Sequence, residues 1–338
     1  MSAPIFDRKN VLVTGGAGFI GSHLCDVLLK DSHVICVDNF STSQVANIDH
    51  LLQNPNFEFI NHDITRPFDL ATFSELERFK IKFQGIQEVY HLACPISKKH
   101  FDDFRIATIV TNSVGVKNVL DVALQYHAKL LYASSSVLYG PRIEGKTHVS
   151  ESDPCLIDHL TPTGAYDEGK RFSESILTTY QDVYGLDVKI ARIFRTFGPR
   201  MKIFDGNLLP DMINAALDGK DIDLNGTDDT RIALCYVSDI VDGLIRHMRS
   251  PIDITVVNLG SDHDVRISSI AEQIIRLTDS DSRVRFDSAH PFFEAPLPDI
   301  SKAKQILHWL PLVRVEDGLR HMIDYAKSQR SRTPLFGS

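Results

Sequence analysis

Tyr166 and Lys170 stand four residues apart in Ala165-Tyr166-Asp167-Glu168-Gly169-Lys170. On a helix that spacing puts both side chains on one face, with the ammonium beside the phenol. A cation roughly 4 Å away, at an effective dielectric near 20, is worth about 4 kcal/mol. That would lower a phenol pKa of about 10 by about three units before desolvation takes some back. Tyr166 is therefore expected to be a general base near neutral pH. A Y-x-x-x-K pair arises by chance on many helices, so its meaning depends on what the rest of the chain places around it.

A second group of residues suits a phosphate ligand. The apolar run Val11-Leu12-Val13 leads into Thr14-Gly15-Gly16-Ala17-Gly18-Phe19-Ile20-Gly21, and a helical pattern follows through Leu29. In this G-x-x-G-x-x-G the glycines Gly15, Gly18 and Gly21 let backbone approach a pyrophosphate. The amides of Phe19 and Ile20 open the following helix and point at the same anion. The next strand, Val34 to Val37, ends in Asp38-Asn39, seventeen residues beyond Gly21 to Asp38. An acidic side chain there accepts hydrogen bonds from an adenosine ribose and repels a 2′-phosphate, which favours NAD over NADP.

The elements that must position these residues follow a regular alternation. Phe57 to Asn61 reads as a strand ending at Asp63-Ile64, and Glu88 to Leu92 as another that empties into Ala93-Cys94-Pro95. A helix over Ile106 to Tyr126, a strand over Lys129 to Ala133 ending at Ser134-Ser135-Ser136, the helix of Tyr166 running to Tyr184, and a strand over Val188 to Phe194 continue the pattern. Strands separated by helices of this length predict a doubly wound parallel α/β sheet of Rossmann type, with ligands at the carboxyl ends of the strands. After Phe194 the alternation weakens. Helices over Asp239 to Met248, Ile267 to Leu277 and Val315 to Ser328 read as the second layer of a smaller C-terminal α/β lobe. The division expected is 1–195 for the dinucleotide and 196–330 for the substrate, partly interleaved.

The balance of 36 basic against 44 acidic residues gives a net charge of −8 with no basic run, so nucleic acid is not an expected partner. The five cysteines lack metal-ligand spacing or a paired framework, and no metal site is expected. No segment resembles a signal peptide and no apolar run approaches membrane length, so a reducing cytoplasm is the expected compartment. His290 and His308 carry no partner pattern and read as structural or surface residues, and Trp309 as packing.

Taken together, the glycine motif, Asp38, Asp63, Ser135 and Tyr166/Lys170 resemble the extended short-chain dehydrogenase/reductase superfamily, in its nucleotide-sugar branch, over about Lys9 to Tyr325. The stretches His91-Leu92-Ala93-Cys94-Pro95-Ile96-Ser97, Tyr166 to Arg171, Gly198-Pro199-Arg200-Met201 and Tyr236-Val237-Ser238-Asp239 are similar to the UDP-glucuronate decarboxylase family. The resemblance implies that Tyr166, Lys170 and Ser135 oxidise C4 of a UDP-sugar with NAD. The 4-keto acid would then lose carbon dioxide, and returned hydride would give UDP-xylose. It also implies cofactor contacts from Asp63, Ile64, Leu92 and Ala93, and substrate contacts from Pro95, Ser97, Ser136, Arg195, Arg200, Asn207 and Arg231. A homodimer through a four-helix bundle of the helices near Ile106–Tyr126 and Thr163–Tyr184 is implied as well.

Four positions depart from that family. Val137 stands where it carries a glutamate, and Pro296 where it carries an arginine. Arg195 replaces a usual asparagine and Asn207 a usual arginine. The neutral Val137 is similar to the 4-epimerases of the superfamily, so epimerisation of a UDP-uronate or UDP-hexose is the alternative expectation. A non-catalytic NAD-binding sensor is a third.

Overall fold

Val11, Leu12 and Val13 are all buried, yet they feed two different cores, because successive side chains of a strand point to opposite faces. Strands buried on both faces call for continuous β-branched and aliphatic runs, and those runs are what the sequence supplies. The computed structural model describes residues 8–332 apart from Lys98, Phe204, Pro291 and Phe293. Seven parallel strands form the central sheet: β1 Lys9–Thr14, β2 Ser32–Asp38, β3 Phe57–Asn61, β4 Glu88–His91, β5 Lys129–Ser135, β6 Val188–Ile193 and β7 Val256–Leu259. Their order is β7-β6-β5-β4-β1-β2-β3. The direction of winding reverses between β1 and β4, and a crevice opens there beyond the carboxyl ends.

One face of the sheet carries α1 (Phe19–Leu28) and α6 (Val237–Arg249), which pack together. The other carries α2 (Phe101–Val110), α3 (Val116–Tyr126) and α4 (Gly164–Tyr184). Between α2 and α3 the backbone widens into a π turn over Thr111–Gly115, so the helix expected from Ile106 to Tyr126 starts earlier and is interrupted. The remaining helices include α5 (Leu208–Leu217), α7 (Ile267–Thr278) and α8 (Val315–Arg332), which pack on one another.

The expected layering of the C-terminal part needs correction at two places. The strand β7 pairs in parallel with β6, Val256 against Ile190 through Leu259 against Ile193, and so belongs to the central sheet. The helix read over Asp239 to Met248 as part of the smaller lobe covers β5, β6 and β7 instead. Its apolar stripe of Ile240, Val241, Leu244 and Met248 is fully buried against that sheet. Short two-stranded pairings, such as Ile222–Asn225 with Val284–Asp287 and Arg231–Ala233 with Asp264–Arg266, build the rest of the lobe.

Candidate active site

At the switch point, Gly15 adopts a left-handed φ of 73°, and a Cβ there would lie 2.6 Å from the Ala93 nitrogen. Gly21 faces the Gly15 carbonyl so closely that a side chain would overlap it. These contacts keep the turn flat against the amino end of α1, whose first turn holds no acidic residue to compete with an anion. At the tip of β2, Asp38 accepts from the Ala17 amide (3.0 Å), the Phe40 amide (2.9 Å) and the Ser43 hydroxyl (2.7 Å). A carboxylate has about four acceptor positions, so it is oriented by the protein and still able to receive a ligand hydroxyl. The residues thus fit a dinucleotide on geometry alone.

A cleft of about 550 Å³ runs from this turn across the ends of β5 and β6. Gly15, Gly18, Phe19, Ile20, Gly21 and Leu92 line it at one end, and Ser135, Ser136, Tyr166 and Lys170 in the middle. Arg195, Arg200, Asn207 and Arg231 line it as well, together with Val137 and Pro296. Asp38, Asn39, Asp63, Ile64, Ala93, Pro95 and Ser97 are not among the lining residues. Asp63 accepts from the amide (2.9 Å) and hydroxyl (2.8 Å) of Thr65, and the exposed Asn39 accepts from the Ser41 amide (3.0 Å). Ser97 is buried and donates to Asp205, which is itself in the lining.

In the middle of the cleft, Tyr166 and Ser135 line the wall together, and the Ser135 side chain favours the ionised phenol. Lys170 is buried, donates to the Ala133 carbonyl at 2.7 Å, and lies 4.6 Å from the Tyr132 ring centre and 5.8 Å from that of Tyr166. The expected depression of the Tyr166 phenol by Lys170 is absent from this arrangement. Burial pushes the phenol above its ordinary range, the Cys94 sulfur adds to the rise, and the Ser135 hydrogen bond offsets part of it. Lys170 is lowered in turn, chiefly by its own burial. The ammonium is committed to a backbone carbonyl and an aromatic face, and desolvation outweighs its help to the phenol.

Asn112 is a site residue that the sequence did not reveal. It lies in the π turn, accepts from the Tyr132 hydroxyl (2.9 Å), donates to Cys94 Sγ (3.2 Å), and its carbonyl accepts from Ser173 (2.8 Å). It therefore ties β5, the loop after β4 and α4 together beneath Tyr166. The loop after β2 was also missed: Thr42, Ser43, Gln44 and Asn47 reach the cleft, and the end of β2 at Asp38 was the signal for it.

The cations of the cleft differ in their partners. Arg200 is paired with Asp26 at 2.8 Å and Arg231 with Asp264 at 2.7 Å. Asn207 donates to the Lys202 carbonyl at 3.2 Å. Arg195 has no ion pair or side-chain hydrogen bond among the described residues, and its guanidinium lies 5.4 Å from the Phe292 ring centre. Partial burial alone lowers its pKa.

Comparison with known proteins places this geometry among relatives. Residues 11–260 match the family described as the NAD dependent epimerase/dehydratase family. The chain is 38% identical over 326 residues to UDP-glucuronic acid decarboxylase 1 of Xenopus tropicalis, covering 96% of this chain and 73% of that one. It is 36% identical over 331 residues to UDP-glucuronic acid decarboxylase 6 of Arabidopsis thaliana, covering 94% and 91%. Among solved structures, UDP-glucuronic acid 4-epimerase from Bacillus cereus, in complex with UDP-glucuronic acid and NAD, superposes with a TM-score of 0.80 at 27% identity, covering 95% of this chain and 99% of that one.

Proposed function

The chain belongs to the NAD dependent epimerase/dehydratase family, and on that premise we propose that it oxidises C4 of UDP-glucuronate, releases carbon dioxide and yields UDP-xylose. The observation that carries this reading is the Ser135–Tyr166–Lys170 group, set at the carboxyl ends of parallel strands in one cleft with the glycine turn. NAD, when bound, supplies the hydride acceptor and a positive ring charge. Tyr166, as its phenolate favoured by Ser135, takes the proton of the C4 hydroxyl as the C4 hydride leaves, so one bond breaks at oxygen and one at carbon. The resulting acid carries a ketone β to its carboxylate. Its C5–C6 bond breaks to release carbon dioxide, and the electron pair delocalises into the C4 carbonyl before C5 takes a proton. The same Tyr166 returns its proton to the C4 oxygen as hydride returns to C4.

In this reading 1–195, completed by α6 and β7 of the central sheet, hold NAD through Gly15, Gly18, Gly21 and Asp38, and the rest of 196–330 hold the nucleotide sugar. The protein works in the cytoplasm as a homodimer. The exposed side chains of Ile106, Ile109 and Phe172 on the adjacent helices α2 and α4 support that assembly, since it would cover them. One specific feature favours a second reading, 4-epimerisation of the same uronate. Val137 puts an apolar side chain in the cleft beside Ser135, so that wall carries no carboxylate to assist the loss of carbon dioxide. Proton NMR of an incubation with UDP-glucuronate and NAD separates the two. UDP-xylose with released carbon dioxide is the expected product; UDP-galacturonate as the sole product replaces this reading with the second.

A further inference from the structure

We infer that Arg195 binds the carboxylate of the sugar acid and makes this cleft selective for a uronate over a neutral sugar, an inference that rests on the nucleotide-sugar reading above. The position comes from strand register. Ser135 at the end of β5 is paired with Ile193 at the end of β6, so Arg195 lies two residues beyond the neighbour of that serine. Carbon 6 of a hexuronate is attached to C5, which is bonded to C4. A group that grips the carboxylate must therefore sit within one side-chain length of the group that takes the C4 proton. The diphosphate is attached at C1, across the ring from C4, and is less accessible from this strand end.

The other arginines of the cleft and Lys170 are already engaged. Arg200 is neutralised by Asp26, Arg231 by Asp264, and Lys170 donates to Ala133. Lys202, on the loop leading to α5, also lines the cleft, but a single ammonium cannot form the planar two-point fork that a guanidinium makes with a carboxylate. Arg195 alone among the cleft arginines presents a guanidinium without an acidic partner among the described residues. Its position over Phe292 fits a planar group that stacks by its face and leaves its edge for a ligand. Guanidinium and carboxylate match in a two-point hydrogen-bonded fork, and a partly desolvated cation gains most from such a partner. Val137, Ala295 and Pro296 line the same cleft, and the carboxylate in its lining, Asp205, is engaged by the Ser97 hydroxyl.

The test is a binding measurement on the NAD-loaded protein, with Tyr166→Phe present to stop turnover. Calorimetry with UDP-glucuronate, UDP-glucose and UDP separates the carboxylate from the diphosphate. Adding Arg195→Gln is expected to weaken UDP-glucuronate by about 10- to 100-fold and to leave UDP-glucose and UDP within about twofold. Arg195→Lys, which keeps the charge and loses the fork, should recover part of the loss. Equal weakening of all three ligands, or of none, overturns the inference. If Arg195→Gln fails to fold, Arg195→Lys decides, through a selective loss for UDP-glucuronate or its absence. Failure of the parent protein to bind any of the three ligands overturns the nucleotide-sugar reading itself, and the inference with it.

Discussion

Burial and hydrogen bonding act against each other on the Tyr166 phenol: desolvation raises it, and Ser135 brings it part of the way back. A phenol held high by burial keeps its own proton until further positive charge in the cleft favours the phenolate, which ties its use as a base to the loaded state. Replacing Tyr166 with Phe keeps the ring and removes the acceptor. The expected result is a fall in kcat of about 10²- to 10⁴-fold or more, with NAD affinity unchanged, read by turnover assay and by NAD titration. Undiminished turnover in that variant would assign the proton to another group. At this scale the sequence was informative where chemistry needs fixed spacing. Tyr166 and Lys170 lie one helical turn apart, and Ser135 follows a strand. Asn112 was not legible, because its role depends on a π turn that is set by packing against Gly169 and Tyr132 rather than by its neighbours in the chain.

Among the elements, β6 and α4 are joined by a buried ion pair. Arg192 reaches Glu174 at 2.7 Å, with both side chains nearly out of solvent. Arg192 also donates to the Tyr139 hydroxyl at 2.8 Å, and Ser134 donates to Glu174 at 2.6 Å. The pair thus anchors the end of β5 directly before Ser135. Glu174→Ala leaves a buried guanidinium without its counter-charge and is expected to cost about 3–5 kcal/mol, measured as a shift in the urea midpoint. A midpoint within experimental scatter of the parent would show that the pair contributes little. Strands β1, β2 and β5 were legible because they are buried along nearly their whole length and carry continuous apolar stretches. In β7, Val256-Val257-Asn258-Leu259 is short and interrupted by a polar residue, and only its pairing with β6 reveals it as a strand of the central sheet. Asn258 is buried there, accepting from Tyr139 at 2.8 Å, so the polar interruption is satisfied inside the core.

For the molecule as a whole, a doubly wound sheet fixes where chemistry occurs before it fixes which chemistry. The switch between β1 and β4, the glycine turn and the Ser135–Tyr166 pair share one cleft because all of them sit at carboxyl ends of parallel strands. The identity of the nucleotide sugar was less legible. In the proposed reading it depends on Val137, Arg195 and Pro296, side chains from separate segments that line one cleft only in the folded chain. The central claim is that hydride leaves C4 and returns to C4 within one turnover. UDP-glucuronate carrying deuterium at C4 tests it directly. The expected result is a primary isotope effect on turnover and a product that keeps its deuterium at C4. Product formed without an isotope effect and with deuterium lost to solvent would contradict it.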